Sequence, residues 1–166
     1  MTSLKSNLIK RVERLPKPTN VAIALQPLFE AISNSIHSTQ AKFGDHASRR
    51  GKVTVTVGID RSKRDFWATV EDNGLGVNSA NWEAFLTTDT DNKIAIGGKG
   101  VGRLLWLDCF EYTQISSIYE TTAGRKERRM FSFISAVDEQ IQHLETESVP
   151  SSAETDFFCS ISRVKR

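Results

Sequence analysis

Several classes of protein are excluded by what this 166-residue sequence lacks. It has only two cysteines, Cys109 and Cys159, which lie far apart and without the paired Cys/His spacing of a zinc site. This usage is typical of a reducing compartment and predicts two buried thiols rather than a disulfide or a metal centre. No apolar run approaches the roughly 18 residues of a membrane helix, and the first five residues lack the apolar core of a secretion signal. We therefore expect a cytoplasmic protein that makes no membrane contact.

The sequence also lacks a large excess of charge of either sign, since its formal net charge is +2. That value is too small to indicate nucleic-acid binding, so we expect any nucleic acid to be reached only through a partner. The hydrophobic fraction of 39% and the charged fraction of 25% are ordinary for a globular protein, and the length fits one domain with a real core. Residues 1–19 are basic and contain two prolines, which predicts an N-terminal arm before a folded domain at 20–166.

The first strong periodicity predicts a helix from about residue 20 to about residue 42. Pro27 lies inside this pattern and should kink the helix or mark a junction between two shorter ones. The spacing of its apolar residues predicts a buried stripe made of Leu28, Phe29, Ile32 and Ile36.

The remainder of the chain reads mainly as strands. A polar loop at 44–51 precedes an alternating, half-buried strand at 52–59 and its hairpin partner at 65–71. Ser79 is expected to cap a helix that turns Trp82, Phe85 and Leu86 inward. Further strands are predicted at 110–120, 126–136 and 155–164, while residues 137–153 have no clear pattern. We expect an α+β fold, a two-layer sandwich with helices on one face of a mixed, mostly antiparallel sheet.

The predicted helix presents Glu30 and Asn34 on one face, because residues four apart stack about 6 Å apart along the axis. His37 continues this polar row and is taken as a bystander. A solvated face beside a core stripe is the usual meaning of such a pair on its own.

A second group of polar residues, Asp72-x-Gly74-x-Gly76, ends the second strand of the hairpin. A carboxylate here can accept a hydrogen bond from an exocyclic amine, and the glycines let a flat group approach. Asp and Gly are also the residues expected in an ordinary tight turn, which is the simpler interpretation of this segment alone.

A glycine-rich segment, residues 97–102, opens a predicted helix with the sequence G-G-K-G-V-G. Glycine backbones can close on a phosphate, the helix N-terminus adds partial positive charge, and Lys99 adds a cation. The pattern is not a P-loop, because neither Ser nor Thr follows Lys99, and it is not a Rossmann fingerprint. A flexible surface loop is the alternative.

The three motifs together, in this order, resemble the GHKL superfamily of ATP-binding domains, which have the Bergerat fold. The superfamily includes gyrase-type topoisomerases, heat-shock chaperones, histidine kinases and mismatch-repair ATPases, and the resemblance extends over residues 20 to about 164. It implies that ATP and Mg²⁺ are bound, with a lid at residues 87–99 that closes over the nucleotide.

The resemblance also implies a role for each matching residue. Asn34 would coordinate Mg²⁺. Asp72 would bind the adenine amine, and Thr155 matches a threonine near that aspartate. The remaining residues would shape the purine pocket or wrap the phosphates: Gly74 and Gly76 at the purine, and Gly98, Lys99, Gly100, Val101 and Gly102 at the phosphates.

Glu30 distinguishes between branches of the superfamily. In the hydrolysing branches a glutamate here is the general base, and the segment around Glu30 is most similar to the chaperone and mismatch-repair branch. Those relatives take a γ-phosphate lysine or arginine from a following domain that this sequence does not contain, so we expect slow hydrolysis. They also act as dimers, which the arm at 1–18 would support, and drive a partner or a downstream domain. The alternatives are a histidine-kinase-like phosphotransferase and a nucleotide-binding module without catalysis.

Overall fold

A six-stranded sheet organises the part of the chain that the structure describes. The computed structural model describes residues 8–15, 19, 24–62, 65–87, 102–136 and 139–164. The helices are α1 (Leu8–Glu13), α2 (Gln26–Phe43), α3 (Ala47–Arg50), α4 (Ser79–Leu86) and α5 (Gly102–Cys109), with a 3-10 turn at Gly44–His46. The strands are β1 (Val53–Asp60), β2 (Asp65–Asp72), β3 (Phe110–Glu120), β4 (Lys126–Phe133), β5 (Ile141–Ser148) and β6 (Phe157–Val164).

The strand order is β1-β2-β6-β3-β4-β5, so the last strand is inserted between the first hairpin and β3. The predicted α+β two-layer architecture is confirmed. The predicted mixed sheet is corrected in one respect, because every pairing among the described strands is antiparallel. The insertion of β6 beside β2 is what brings Asp72 and Phe157 into register at one end of the sheet.

The core lies between this sheet and the helices. One row of paired residues crosses four strands and is buried: Val70, Cys159, Ile115 and Phe131. Helix α2 packs over β1 and β2 and against α5, and α5 packs on β3. Helix α4 packs on β4, since Trp82 and Phe85 make edge-to-face contacts with Phe131.

The N-terminal part of the chain also contributes to this core. Helix α1 contacts α5, and Val12 in α1 is buried among the core residues. Within the described residues, no helix combines the length and hydropathy that crossing a bilayer requires.

The described long helix begins at Gln26, and Pro27 occupies its first turn. Ala24 is helical and Leu25 is a turn residue, so Pro27 lies at a junction, as one of the two predicted alternatives has it, and does not kink a continuous helix. The predicted start at residues 20–23 lies outside the described residues. The first turn tolerates proline because its N–H has no intrahelical partner there.

The predicted apolar stripe of α2 is wrong in two of its four residues. Phe29 is 53% exposed and Ile36 is 42% exposed. The buried residues of the helix are instead Pro27, Leu28, Ala31, Ser35 and Thr39. Small residues face the sheet because the helix lies close to β2, where Ser35 and Ala31 fit and a larger side chain would not.

Smaller differences have local causes. The predicted polar loop at 44–51 forms the 3-10 turn and α3, because it lacks a proline and contains helix-compatible residues. Asn78, and not Ser79, is the N-cap of α4, where its Oδ1 accepts from the Asn81 amide at 2.9 Å. Leu86 in that helix is exposed rather than inward. The unassigned stretch 137–153 contains β5, whose alternation is interrupted by a register shift opposite β4.

Candidate functional site

The predicted site residues that are described lie on α2 or in two segments that contact it. Asp72 is the last residue of β2, and Gly74 follows it against Ser38 of α2. Gly102, the first residue of α5, lies against Glu30, one turn before Asn34 on the same helix. The three distant segments singled out in the sequence therefore meet along a single helix face.

Glu30 and Asn34 contact each other directly. The Asn34 amide donates from Nδ2 to Glu30 Oε1 at 3.4 Å, and both side chains are partly buried. A Cβ atom placed on Gly102 would overlap the Glu30 side chain, which would have to move away from the start of α5. The carboxylate thus lies beside the positive end of the α5 dipole.

Asp72 is buried, with 6% of its surface exposed, and one of its two carboxylate oxygens lacks a donor. Oδ1 accepts from the Gly74 amide at 2.8 Å, while Oδ2 has no hydrogen-bond partner among the described residues. The Ser35 hydroxyl, which also lacks a partner within strict hydrogen-bond geometry, lies beside the carboxylate and stabilises its charged form. A buried carboxylate oxygen without a donor is costly, and it marks the place where a ligand N–H would be most stabilising.

The pKa of Asp72 is raised above its ordinary value, mainly because burial disfavours the charged carboxylate. The nearby Asp156 carboxylate raises this pKa further. The Ser35 hydroxyl, the Gly74 amide and the Lys42 ammonium act in the opposite direction.

The glycines after Asp72 are required by close packing. A Cβ atom on Gly74 would overlap Ser38. Gly76 has a φ of +69°, and a Cβ atom there would overlap the Ile118 carbonyl oxygen. Thr155 lies next to them and donates from Oγ1 to the Gly74 carbonyl at 2.6 Å. Substitution at either glycine must therefore move the loop.

Side chains from several elements hold this loop in place. The Leu75 amide donates to Ser38 Oγ at 3.0 Å, and the Val77 amide donates to Ser117 Oγ at 2.8 Å. The Lys42 ammonium donates to the Asn73 carbonyl at 2.6 Å and to the Thr155 carbonyl at 3.3 Å. Burial lowers the pKa of Lys42, the largest of the influences on it.

Arg129 of β4 fixes the far end of the same loop. Its guanidinium donates to the Val77 carbonyl at 2.8 Å and to the Tyr119 hydroxyl at 3.0 Å. It also stacks on the Trp82 ring, with 4.5 Å between the guanidinium carbon and the ring centroid. Tyr119 in turn donates to Glu127 at 2.8 Å. This arrangement ties the loop and α4 to the sheet.

Sequence reasoning missed Ser38 and Lys42, although a signal for them existed. Both continue the four-residue spacing of Glu30 and Asn34 along α2, and both contact the loop after Asp72. His37 does not continue that row, and its buried Nδ1 has no partner among the described residues. Extending the spacing of four by two more steps would have identified the correct residues.

Part of the predicted site lies outside the described residues: Gly98, Lys99, Gly100 and Val101. The predicted lid at 87–99 is described only at Thr87, which follows the last residue of α4. The structure therefore describes seven of the predicted site residues, in two groups that both contact α2. Glu30, Asn34 and Gly102 form one group, and Asp72, Gly74, Gly76 and Thr155 form the other.

The described residues hold no cluster of three or more His, Cys, Asp or Glu side chains that could enclose a metal ion. The Asn34 side-chain oxygen is of the type that Mg²⁺ accepts, provided that a ligand's oxygens complete the coordination.

Comparison with known protein families and with curated proteins finds no match to this sequence.

Proposed function

We propose that this chain binds ATP together with Mg²⁺, in the site between α2, the loop after Asp72 and the start of α5. The observation that carries the proposal is the Asp72 carboxylate, buried and with Oδ2 lacking a donor. The exocyclic amine of adenine would supply that donor. The lack of a side chain at Gly74 lets the loop after Asp72 pack directly against Ser38 of α2, which would hold the carboxylate in place for that contact.

The phosphates would lie toward the N-terminus of α5. Gly102 is the first residue of that helix, and a helix N-terminus carries partial positive charge that favours an anion. The segment before Gly102 would complete this end of the site. It consists of Gly98, Lys99, Gly100 and Val101. Asn34 would hold Mg²⁺ through its side-chain oxygen, while phosphate oxygens provide further ligands.

Glu30 would act as general base in slow hydrolysis of ATP. Its carboxylate would lie at the phosphate side of the site, where the Asn34 amide donates to it at 3.4 Å. A water molecule between this carboxylate and the γ-phosphate would lose its proton to Glu30 as it attacks.

A nucleotide-binding module without catalysis is the second candidate. The observation that favours it is that Glu30 contacts both Asn34 and Gly102, which leaves less room for a water molecule. Membership of the GHKL superfamily, a role as the nucleotide-driven switch of a larger assembly and a cytoplasmic location stay predictions.

Calorimetric titration of the chain with ATP, with and without Mg²⁺, tests the proposal. We expect saturable binding that Mg²⁺ strengthens, and a loss of about 10- to 100-fold in affinity for Asp72→Asn, the effect of one hydrogen bond to a charged group. Glu71→Gln is the matched control, because Glu71 is the exposed neighbour of Asp72 on β2. Absence of ATP binding in the wild-type chain, or equal losses in both variants, would contradict the proposal.

A further inference from the structure

One edge of the sheet, strand β1, is apolar and exposed. Val55, Val57 and Ile59 are 38%, 51% and 68% exposed. Their register partners on β2 include Val70 and Ala68, which are buried, so these side chains point to the face that carries α2. The helices therefore do not cover β1 on the side of the sheet against which they pack.

The exposed residues of α2 extend this surface. Helical periodicity places Phe29 and Ile36 on the flank opposite Glu30 and Asn34, the flank that faces away from α5. Since α2 packs over β1 and β2, that flank faces the β1 edge. We refer to Phe29, Ile36, Val55, Val57 and Ile59 as the edge patch.

The opposite edge, strand β5, is protected in the way that monomeric sheets protect their edges. It carries Glu145 and Glu147, and it contains an irregularity at which His143 has a φ of +54°. Charges and bulges of this kind discourage pairing with another strand. β1 has no charged residue from Val53 to Ile59 and no such irregularity in its register with β2.

We propose that β1 pairs antiparallel with β1 of a second copy, forming a two-fold symmetric dimer with a continuous twelve-stranded sheet. In the register centred on Thr56, Val55 lies opposite Val57 of the second copy, and Val53 lies opposite Ile59. Both copies then present α2 on the same face of the sheet, and the two edge patches bury each other.

Charge complementarity selects this register and this occupant. With Thr56 opposite itself, Lys52 of each copy lies opposite Asp60 of the other, so the uncharged segment ends in two opposite-charge pairs. A second copy that used its β5 instead would set Glu145 and Glu147 against an uncharged strand, and the contact would extend without closing. Pairing of β1 with β1 instead gives a closed dimer, in which neither copy keeps an exposed β1 edge.

Sedimentation equilibrium of the full chain tests the dimer. We expect a species of twice 18.6 kDa for the wild type. Val57→Lys, which places a charge in the centre of the edge patch, should weaken the dimer at least tenfold. Leu144→Lys on β5 is the matched control, because Leu144 is similarly exposed at 50% and should leave the dimer intact. A monomeric wild type overturns the proposal, as does a dimer that Val57→Lys leaves unchanged, for instance one formed through the N-terminal arm.

Oxidative cross-linking tests the register. Thr56→Cys should form a disulfide-linked dimer, because directly opposed residues of antiparallel strands lie about 4.5–5.5 Å apart at their Cα atoms. Thr69→Cys is the control, since Thr69 is the register partner of Thr56 on β2 and would lie roughly 14 Å from its counterpart. The wild-type chain serves as the control for Cys109, and burial raises the pKa of Cys159 to about 12, so that thiol stays unreactive. Cross-linking of Thr69→Cys but not Thr56→Cys would overturn the register.

Discussion

The two ends of the candidate site are built differently. At the purine end, which comprises Asp72 to Val77 with Ser38 and Thr155, backbone groups along the loop are held by side chains from α2, β3, β4 and the segment before β6. At the phosphate end, which comprises Glu30, Asn34 and Gly102, the described contacts include those of Glu30 with its two neighbours. The first end is set by buried packing, whereas the second rests on side chains that are only partly buried, so their variants should fail in different ways.

Glu30→Gln should give the largest effect, and only on turnover. Glutamine keeps the shape and the contact with Gly102 but cannot take a proton from water. We expect ATP hydrolysis to fall by about 10²- to 10⁴-fold with the affinity for ATP little changed, measured by phosphate release and calorimetry. Hydrolysis at the wild-type rate would remove Glu30 as the base and favour the binding-only alternative.

Gly74→Ala should damage the purine end through packing. Its new Cβ atom would overlap Ser38, including backbone as well as side-chain atoms, so the loop must shift. We expect a loss of about 1–3 kcal/mol in the free energy of unfolding, measured with urea, together with weaker ATP binding. Gly124→Ala is the control for backbone strain without overlap, since φ is +73° there and a Cβ atom meets no neighbour. A Gly74→Ala variant as stable as the wild type would show that packing on Ser38 does not require glycine.

The pH dependence of stability should distinguish Asp72 from the polar residues around it. Because the pKa of Asp72 is raised in the folded state, its protonated form favours folding. This contribution is complete below the unfolded pKa of about 4 and is lost as pH rises through the folded pKa. Asp72→Asn should therefore have a higher Tm than the wild type near pH 7, with a difference that shrinks toward pH 4.

Scanning calorimetry of the two proteins across this pH range makes that comparison. Glu71→Gln again serves as the control and should track the wild type. A Tm difference between Asp72→Asn and the wild type that stays constant with pH would contradict the assigned direction of the shift.

Thr155→Val should give the smallest effect. Valine keeps the volume but removes the hydroxyl that donates to the Gly74 carbonyl, so the carbonyl loses a buried partner. We expect the free energy of unfolding to fall by about 1 kcal/mol and ATP affinity to fall a few-fold, with hydrolysis per bound nucleotide unchanged. Loss of hydrolysis without loss of ATP affinity would contradict the assignment of Thr155 to the purine end of the site.

Much of the fold could be predicted because its signals are local. The alternation of β1, the turn before β2 and the glycine before α5 each specify an element by period or by backbone freedom. The buried face of α2 could not be predicted, because Phe29 and Ile36 fit a helical stripe as well as Ala31 and Ser35 do. Only the close approach of β2 decides between them. Strand β5 was missed because its irregularity at His143 interrupts the alternation.

The residues of the candidate site also divide into those that local sequence predicts and those that depend on tertiary contacts. Motif spacing predicts Asp72, Gly74 and Glu30 as site residues, because each residue type has a chemical reason to stand where it does. The anchors Ser117 and Arg129 could be identified only once the topology placed β3 and β4 around the loop. Long-range contacts of this kind have no period in the sequence.

The most direct test of the account compares ATP with inosine triphosphate, which lacks the exocyclic amine. We predict that the wild type binds inosine triphosphate at least about tenfold more weakly than ATP, the value of one hydrogen bond to a charged acceptor. In Asp72→Asn this preference should disappear. Equal affinity of the wild type for the two nucleotides, or a preference that survives in Asp72→Asn, would contradict the assignment of Asp72 as the acceptor for the adenine amine.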